Sequence, residues 1–340
     1  MRIVIAGSAG FIGCHLAKRF LADGHEVIGV DNLVTGQQAN IDWLGEHRAF
    51  RFVRHDVIEP LQIEGPVDLV CDLACPASPV DFALLGVEIL RVCSEGVRHL
   101  LDLAESKGAV FLHTSTSEVY GDAEVHPQDE SYWGHVNPIG PRAVYDEGKR
   151  FAEALITTYQ RRRGLPIRLA RIFNTYGPRM RLDDGRVVTN FICQALTGRP
   201  LSVYGRGQQT RSFCYIDDQV EGLVRLAQSQ YSGPVNIGNP EEITIRQLAQ
   251  EIIELAGSSS VIVEHPMPPD DPKVRCPDIT LARRELNWQP RISRQVGLQR
   301  TIDFCKQLDP QVLQQAAQGR LFGSTAARNA KPATDVKVRR

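Results

Sequence analysis

The feature that most constrains this chain stands at its start. Arg2-Ile3-Val4-Ile5-Ala6 is a short apolar run, and Gly7, Gly10 and Gly13 follow it as G-x-x-G-x-x-G. Phe11, Ile12, Leu16 and Phe20 then recur at helical spacing, up to Asp23-Gly24. A strand, a glycine turn and a helix in this order bring backbone close to a pyrophosphate at a helix N-terminus, where N–H groups and positive potential favour anions. The pattern is a dinucleotide-binding fingerprint, and Gly7, Gly10, Phe11, Ile12 and Gly13 are its cofactor-binding candidates. A second strand, Glu26-Val27-Ile28-Gly29-Val30, ends at Asp31, 18 positions after Gly13. An acid about 20 residues on bonds the ribose hydroxyls and repels a 2′-phosphate, so the spacing predicts NAD rather than NADP.

Strand and helix patterns continue to alternate: strand over 67–73, helix over 87–106, strand over 110–113, helix over 143–163, strand over 167–172. This predicts an α/β fold of the Rossmann type, a doubly wound parallel sheet with a smaller C-terminal substrate-binding lobe. We expect a NAD-binding domain over 1–173, with segments around 205–240 woven back into it. A nucleotide-sugar lobe is expected mainly over 174–308, with helices over 187–196, 243–256 and 296–306. From 319 to 340 the chain lacks periodicity and is rich in Ala, Lys, Arg and Thr, as in a disordered tail.

The first strand begins at the second residue, so no signal peptide or membrane anchor is expected before it. No apolar run approaches the ~18 residues that span a bilayer. The net charge of −1 gives neither nucleic acid nor a membrane surface anything to hold. The eight cysteines show no C-x-x-C pair and sit mostly in apolar segments. They read as reduced core thiols of a cytoplasmic protein, with no metal site.

Tyr145 and Lys149 lie one turn apart on one face of the predicted helix 143–163. A nearby cation favours phenolate and is expected to draw the tyrosine pKa down toward neutrality. A base that takes a proton from a sugar hydroxyl requires this. Upstream, Thr114-Ser115-Thr116-Ser117-Glu118 places several hydroxyls and an acid just past a strand end, where doubly wound sheets hold ligands. The residues alone do not choose among those hydroxyls.

Longer stretches carry a resemblance. They are Ser115 to Asp122 (S-T-S-E-V-Y-G-D), Tyr132 to Arg142 (Y-W-G-H-V-N-P-I-G-P-R) and Tyr145 to Arg150 (Y-D-E-G-K-R). Asn174 to Met180, Asp184 to Val188, Gln209 to Phe213, Asn236 to Pro240 and Asp270-Asp271-Pro272 with Arg275 continue it. Over about residues 1–308 the chain resembles the extended short-chain dehydrogenase/reductases that modify nucleotide sugars. Within them it is most similar to the UDP-glucuronate decarboxylase branch.

The resemblance implies a Thr116/Tyr145/Lys149 triad and adds Asn32, Asp56, Val57 and Leu73 to the NAD contacts. It assigns Glu118 and Arg275 to catalysis, with Arg275 approaching the substrate carboxylate. Ser117, Asn174, Arg179, Arg186, Arg211, Tyr215 and Arg275 become substrate-binding candidates, the arginines around the UDP diphosphate. Cys93 stands where much of the group has an asparagine, and Cys276 where it usually has a basic residue.

The implied reaction converts UDP-glucuronate to UDP-xylose and CO2 by C4 oxidation, β-keto acid decarboxylation and C4 re-reduction. Glu118 would position the carboxylate or manage the proton returned to C5. Other readings are a 4-epimerase, a 4,6-dehydratase, a decarboxylase releasing the UDP-4-keto-pentose, and a non-catalytic NAD sensor. Family members usually pair through the two long helices, so a homodimer is expected.

Overall fold

Seven parallel strands order the molecule in a computed structural model that describes residues 1–267 and 274–318. They are β1 (Arg2–Ala6), β2 (Glu26–Asp31), β3 (Phe50–Arg54), β4 (Leu69–Asp72), β5 (Val110–Thr116), β6 (Ile167–Ile172) and a last strand, Pro234–Ile237. Across the sheet the order is Pro234–Ile237, β6, β5, β4, β1, β2, β3. Helices cover both faces, so β1 is apolar without alternation. Ile3 and Ile5 enter a core with Leu16 and Phe20, while Val4 and Ala6 enter another with Leu100 and Ile156. All eight are fully buried, each larger side chain contributing about 1.5–3 kcal/mol.

The strand order reverses between β1 and β4. Ligands bind beyond the C-terminal strand ends at such a switch point. Here β1 runs into Gly7, β4 into Leu73-Ala74-Cys75, and the neighbouring β5 ends at Thr116.

Several elements differ from expectation. β3 reads F-R-F-V-R at the sheet edge, and its arginines hid it, as charges on edge strands do. β5 continues to Thr116, pairing with Ile172, instead of ending at 113. Its polar end can be buried because the Thr114 hydroxyl donates to the Asp72 carbonyl at 3.1 Å and the Ser115 hydroxyl to Glu153 at 2.6 Å. The helix expected over 87–106 is helix Gly86–Arg91, a π turn Val92–Gly96 and helix Val97–Lys107. Residues 242–244 form a strand, after which a Thr244/Gln247 capping box starts helix Ile245–Ala256.

The expected tail 319–340 and Asp270-Asp271-Pro272 lie outside the described residues. Among the described residues no helix is long and apolar enough to cross a membrane, and no cluster of side chains is arranged for a metal. All eight cysteines are free thiols, seven buried and Cys75 half-buried.

Candidate active site

A cleft opens at the switch point. Gly7, Gly10, Phe11, Ile12, Gly13 and Leu73 line it together with Tyr145, Lys149, Arg181 and Arg186. Gly7 has φ +81, and a Cβ there would lie 2.5 Å from the Leu73 carbonyl oxygen. A Cβ on Gly13 would lie 2.0 Å from the Gly7 oxygen. Helix Phe11–Ala22 starts at Gly10 with no side-chain cap, so no side chain covers its first-turn donors.

Asp31 accepts from Ala9 N–H at 3.0 Å and Leu33 N–H at 2.8 Å, and burial pushes its carboxyl up. The Asn32 amide donates to Asp56 at 3.0 Å. Val57 is buried, and its carbonyl meets His99 Nδ1 at 3.1 Å. Asp31, Asn32, Asp56 and Val57 thus form one group beside the glycine turn, outside the cleft lining itself. A backbone cradle with a carboxylate at the end of β2 fits a dinucleotide with a free ribose.

Tyr145 and Lys149 lie on helix Ala143–Arg163, both buried. Lys149 donates to the Thr114 carbonyl at 2.9 Å. Burial opposes its charge, but Cys75, Tyr145, Cys93 and Asp72 favour it, and its pKa is raised. The Tyr145 ring stacks on Phe82, centroids 4.9 Å apart. Such a pair contributes about 0.5–1.5 kcal/mol beyond area burial. The Thr116 side chain lies close enough to the Tyr145 hydroxyl to favour the phenolate. Thr114 and Ser115 are occupied elsewhere, so the geometry separates the three hydroxyls. Thr116 itself is the last residue of β5 rather than a loop residue, and its Oγ1 accepts from Glu118 N–H at 3.2 Å. The expected fall of the Tyr145 pKa is corrected: burial pushes the phenol up, and Lys149 and Thr116 oppose this without winning.

Glu118 lies between two guanidinium groups. Arg275 holds one oxygen, and Arg142 Nη2 holds the other at 2.7 Å. Burial alone would raise this carboxyl, but the two arginines win and bring it to about 2. That holds Glu118 as an anion between two cations at neutral pH.

Arg142 also lies over the Phe82 ring at 5.7 Å, linking the charged group to the Tyr145 stack. Sequence reasoning missed Arg142, although it stands three residues before Tyr145, at the helix N-cap. Asp146 was missed too. Burial first, then the nearby Glu118 charge, raises its carboxyl to about 7. One of its oxygens and Arg275 Nη2 are buried without a hydrogen-bond partner among the described residues.

Other candidates stand apart from this cluster. Arg186 lines the cleft, donating to the Ala77 carbonyl at 3.0 Å beside Asp184 at 3.3 Å. Arg181, also on the cleft and not anticipated, pairs with Asp81 at 2.9 Å. Arg179 lies over the Trp43 ring at 4.0 Å. Arg211 is buried on strand Thr210–Ser212 and donates to the Thr210 carbonyl. Tyr215 packs against Tyr176, centroids 5.7 Å apart, and is not on the cleft. The Asn174 carbonyl accepts from Cys214 N–H at 2.8 Å, and Ser117 is buried in the turn Ser117–Tyr120. Cys276 is buried, its N–H held by Gln128 Oε1 at 2.9 Å.

A switch-point glycine cradle facing a buried Tyr/Lys pair is the site of a dinucleotide-dependent sugar-modifying enzyme class, and the family comparison agrees. Residues 3–238 match the NAD dependent epimerase/dehydratase family, and the chain belongs to it. Among its relatives is UDP-glucuronic acid decarboxylase 1 of Danio rerio, 52% identical over 312 residues, covering 91% of this chain and 74% of the relative. UDP-glucuronic acid decarboxylase 5 of Arabidopsis thaliana is 52% identical over 300 residues, covering 88% and 87%.

Solved structures include a Bacillus cereus UDP-glucuronic acid 4-epimerase in complex with UDP-glucuronic acid and NAD. It is 29% identical with a TM-score of 0.81, covering 91% of this chain and all of that one. A Thermotoga maritima UDP-glucose 4-epimerase with UDP-glucose is 28% identical with a TM-score of 0.83, covering 90% and 99%.

Proposed function

We propose that this protein decarboxylates UDP-glucuronate to UDP-xylose and CO2, with NAD as its bound cofactor. The observation that carries the proposal is identity at half of all positions, over nine tenths of the chain, to proteins named as UDP-glucuronic acid decarboxylases. The solved epimerases share under a third.

Gly7 to Gly13 would hold the pyrophosphate of NAD and Asp31 its ribose, with Asn32, Asp56, Val57 and Leu73 completing that end. When bound, NAD supplies a hydride acceptor and donor at the sugar C4. Tyr145 takes the C4 hydroxyl proton and later returns it, while Lys149 offsets part of the cost of the buried phenolate. Thr116 donates to the C4 oxygen. Once C4 is a ketone, the C6 carboxylate is β to it, and loss of CO2 leaves the electron pair as an enolate. Thr116 and Tyr145 then stabilise the charge on the C4 oxygen.

Arg275 Nη2, which has no hydrogen-bond partner among the described residues, is the donor suited to the substrate carboxylate. Glu118, held between the two arginines, is assigned to position the carboxylate or to manage the proton that C5 must regain before C4 is reduced. Ser117, Asn174, Arg179, Arg186, Arg211 and Tyr215 are assigned to the UDP-sugar, with residues 174–308 as its main lobe.

Pairing into a homodimer is part of the proposal. Val87 and Leu90 on helix Gly86–Arg91 and Phe151 on helix Ala143–Arg163 are 69%, 44% and 52% exposed. Light scattering should give twice the chain mass, and a monomer would reject the pairing. Free thiols fit a cytoplasmic location.

Incubation with UDP-glucuronate and NAD, followed by mass spectrometry, tests the function. UDP-xylose with CO2 is expected. UDP-galacturonate would assign the chain to the epimerases, which share the fold and whose Bacillus cereus member binds the same sugar nucleotide. A UDP-4-keto-pentose with accumulated NADH would mean that the last reduction is missing.

A further inference from the structure

Cys75 and Cys93 take no part in the chemistry above, yet they touch its centre. Their Sγ atoms are 3.7 Å apart, the one thiol–thiol hydrogen bond among the described residues. Cys75 follows β4, lines the cleft and is half-buried. Cys93 lies behind it, buried, in the π turn Val92–Gly96, a helix irregularity frequent at functional sites. A Cβ on Gly148 would meet the Cys93 sulfur at 3.2 Å, so Cys93 rests on the backbone between Tyr145 and Lys149. Cys93 also shares a core cluster with Phe82 and Tyr145, against which Cys75 packs.

We propose that Cys75 and Cys93 form a reversible disulfide that turns the active site off when a peroxide enters the cleft. The hydrogen bond from Cys75 and the Lys149 ammonium make the Cys93 thiol more acidic than usual, and the same bond pushes Cys75 up. Cys75 is the sulfur that faces the cleft, so it meets the peroxide first.

The Cys75 sulfur attacks one peroxide oxygen as its proton passes to the Cys93 thiolate across the contact, the O–O bond breaks and hydroxide leaves, giving a sulfenic acid. The Cys93 sulfur then attacks that sulfur, the S–S bond forms, the S–O bond breaks, and the second oxygen leaves as water once the thiol proton is counted. Two thiols and one hydrogen peroxide become one disulfide and two waters. Sulfur is oxidised and peroxide reduced.

A disulfide is about 2.05 Å long, so the sulfurs must close by about 1.6 Å. That closure pulls Cys93 off Gly148 and ties down the cleft wall that leads into Phe82, the residue stacked on Tyr145. Lys149 also loses two groups that favour its charge.

The test treats the full chain with hydrogen peroxide, blocks free thiols with N-ethylmaleimide in denaturant, and digests without reductant. Peptides bearing Cys75 and Cys93 should be recovered cross-linked, lighter by two hydrogens than the reduced pair. Turnover should fall by an order of magnitude in parallel and return with dithiothreitol. Cys93→Ser should lose the cross-link, leaving Cys75 to oxidise alone. The proposal is overturned if peroxide leaves both thiols open to N-ethylmaleimide. It is equally overturned if inactivation of the parent comes without the cross-link. The cross-link is read by mass alone, so it stands or falls separately from the proposed reaction.

Discussion

The glycine end of the site and its charged end around Glu118 are built by different means. The glycine end is mostly backbone: Gly7 packed on Leu73, uncapped helix donors, and Asp31 reaching Ala9 across 22 residues. The charged end is side chain on side chain, with Glu118 reaching Arg275 across 157 residues. A lost hydrogen bond at the first end costs about 0.5–1.5 kcal/mol. A lost partner at the second leaves a buried charge uncompensated, which costs about 3–5 kcal/mol. One end is set by local turn geometry and the other by topology, so substitutions should separate them.

The largest effect is expected where the ends meet. Tyr145→Phe removes the proton-transfer group and should lower turnover on the order of 10²–10⁴-fold, the range for general base catalysis. NAD binding, followed by calorimetry, should be unchanged because the glycine end is untouched. Full activity would remove Tyr145 from the mechanism.

Arg275→Ala acts on the charged end alone. It leaves Glu118 with Arg142 only and removes the donor proposed for the substrate carboxylate. We expect kcat/KM on UDP-glucuronate to fall on the order of 10²–10³-fold, as a loss of about 3–4 kcal/mol implies. Binding of UDP, which has no such carboxylate, should hardly change. Equal losses on both ligands would show that Arg275 supports the fold and not the carboxylate.

These two ends were also unequally legible in the sequence. Strand, glycines and Asp31 lie within 31 residues, and their spacing alone pointed to the cofactor end, while the strand–helix alternation after it pointed to a doubly wound parallel sheet. Tyr145 and Lys149 share a helix face, so their proximity was readable as well. Arg142 and Arg275 meet at Glu118 only because β5 and the loop after 273 converge in three dimensions. No local spacing records this, and only resemblance pointed to Arg275. Burial was likewise invisible. It reversed the expected Tyr145 shift, and it made Asp146 weakly acidic within a motif that reads as solvated charge. The hydroxyls of β5 looked like a loop because their partners, Asp72 and Glu153, come from other elements.

A weaker effect is expected at the glycine end. Asp31→Asn keeps the size but loses the charge offered to the ribose. NAD should bind about 10–100-fold more weakly, since hydrogen bonds to charged groups are worth about 1.5–3 kcal/mol. The charged end should be unaffected, with KM for UDP-glucuronate unchanged at saturating NAD. An unchanged Kd for NAD would leave Asp31 as a brace for the Ala9 and Leu33 N–H groups.

The smallest effect concerns the charge count at the second end. Asp146 is protonated in the fold up to about pH 7, against an ordinary value of 3.8. The folded state therefore binds more protons than the unfolded state between these limits, and stability falls as pH rises through that window. The slope is at most about 1.4 kcal/mol per pH unit. Asp146→Asn cannot ionise, so its melting temperature should change less between pH 4 and 7 than the parent's.

The same ionisation should reach the substrate. Ionised Asp146 adds a negative charge near Arg142, Arg275 and Glu118 and so disfavours an incoming carboxylate. KM for UDP-glucuronate should then rise several-fold from pH 6 to 8 in the parent and stay flat in Asp146→Asn. A parallel rise in both would mean that Asp146 does not set the charge of this end, and that its burial serves packing of the helix that carries Tyr145.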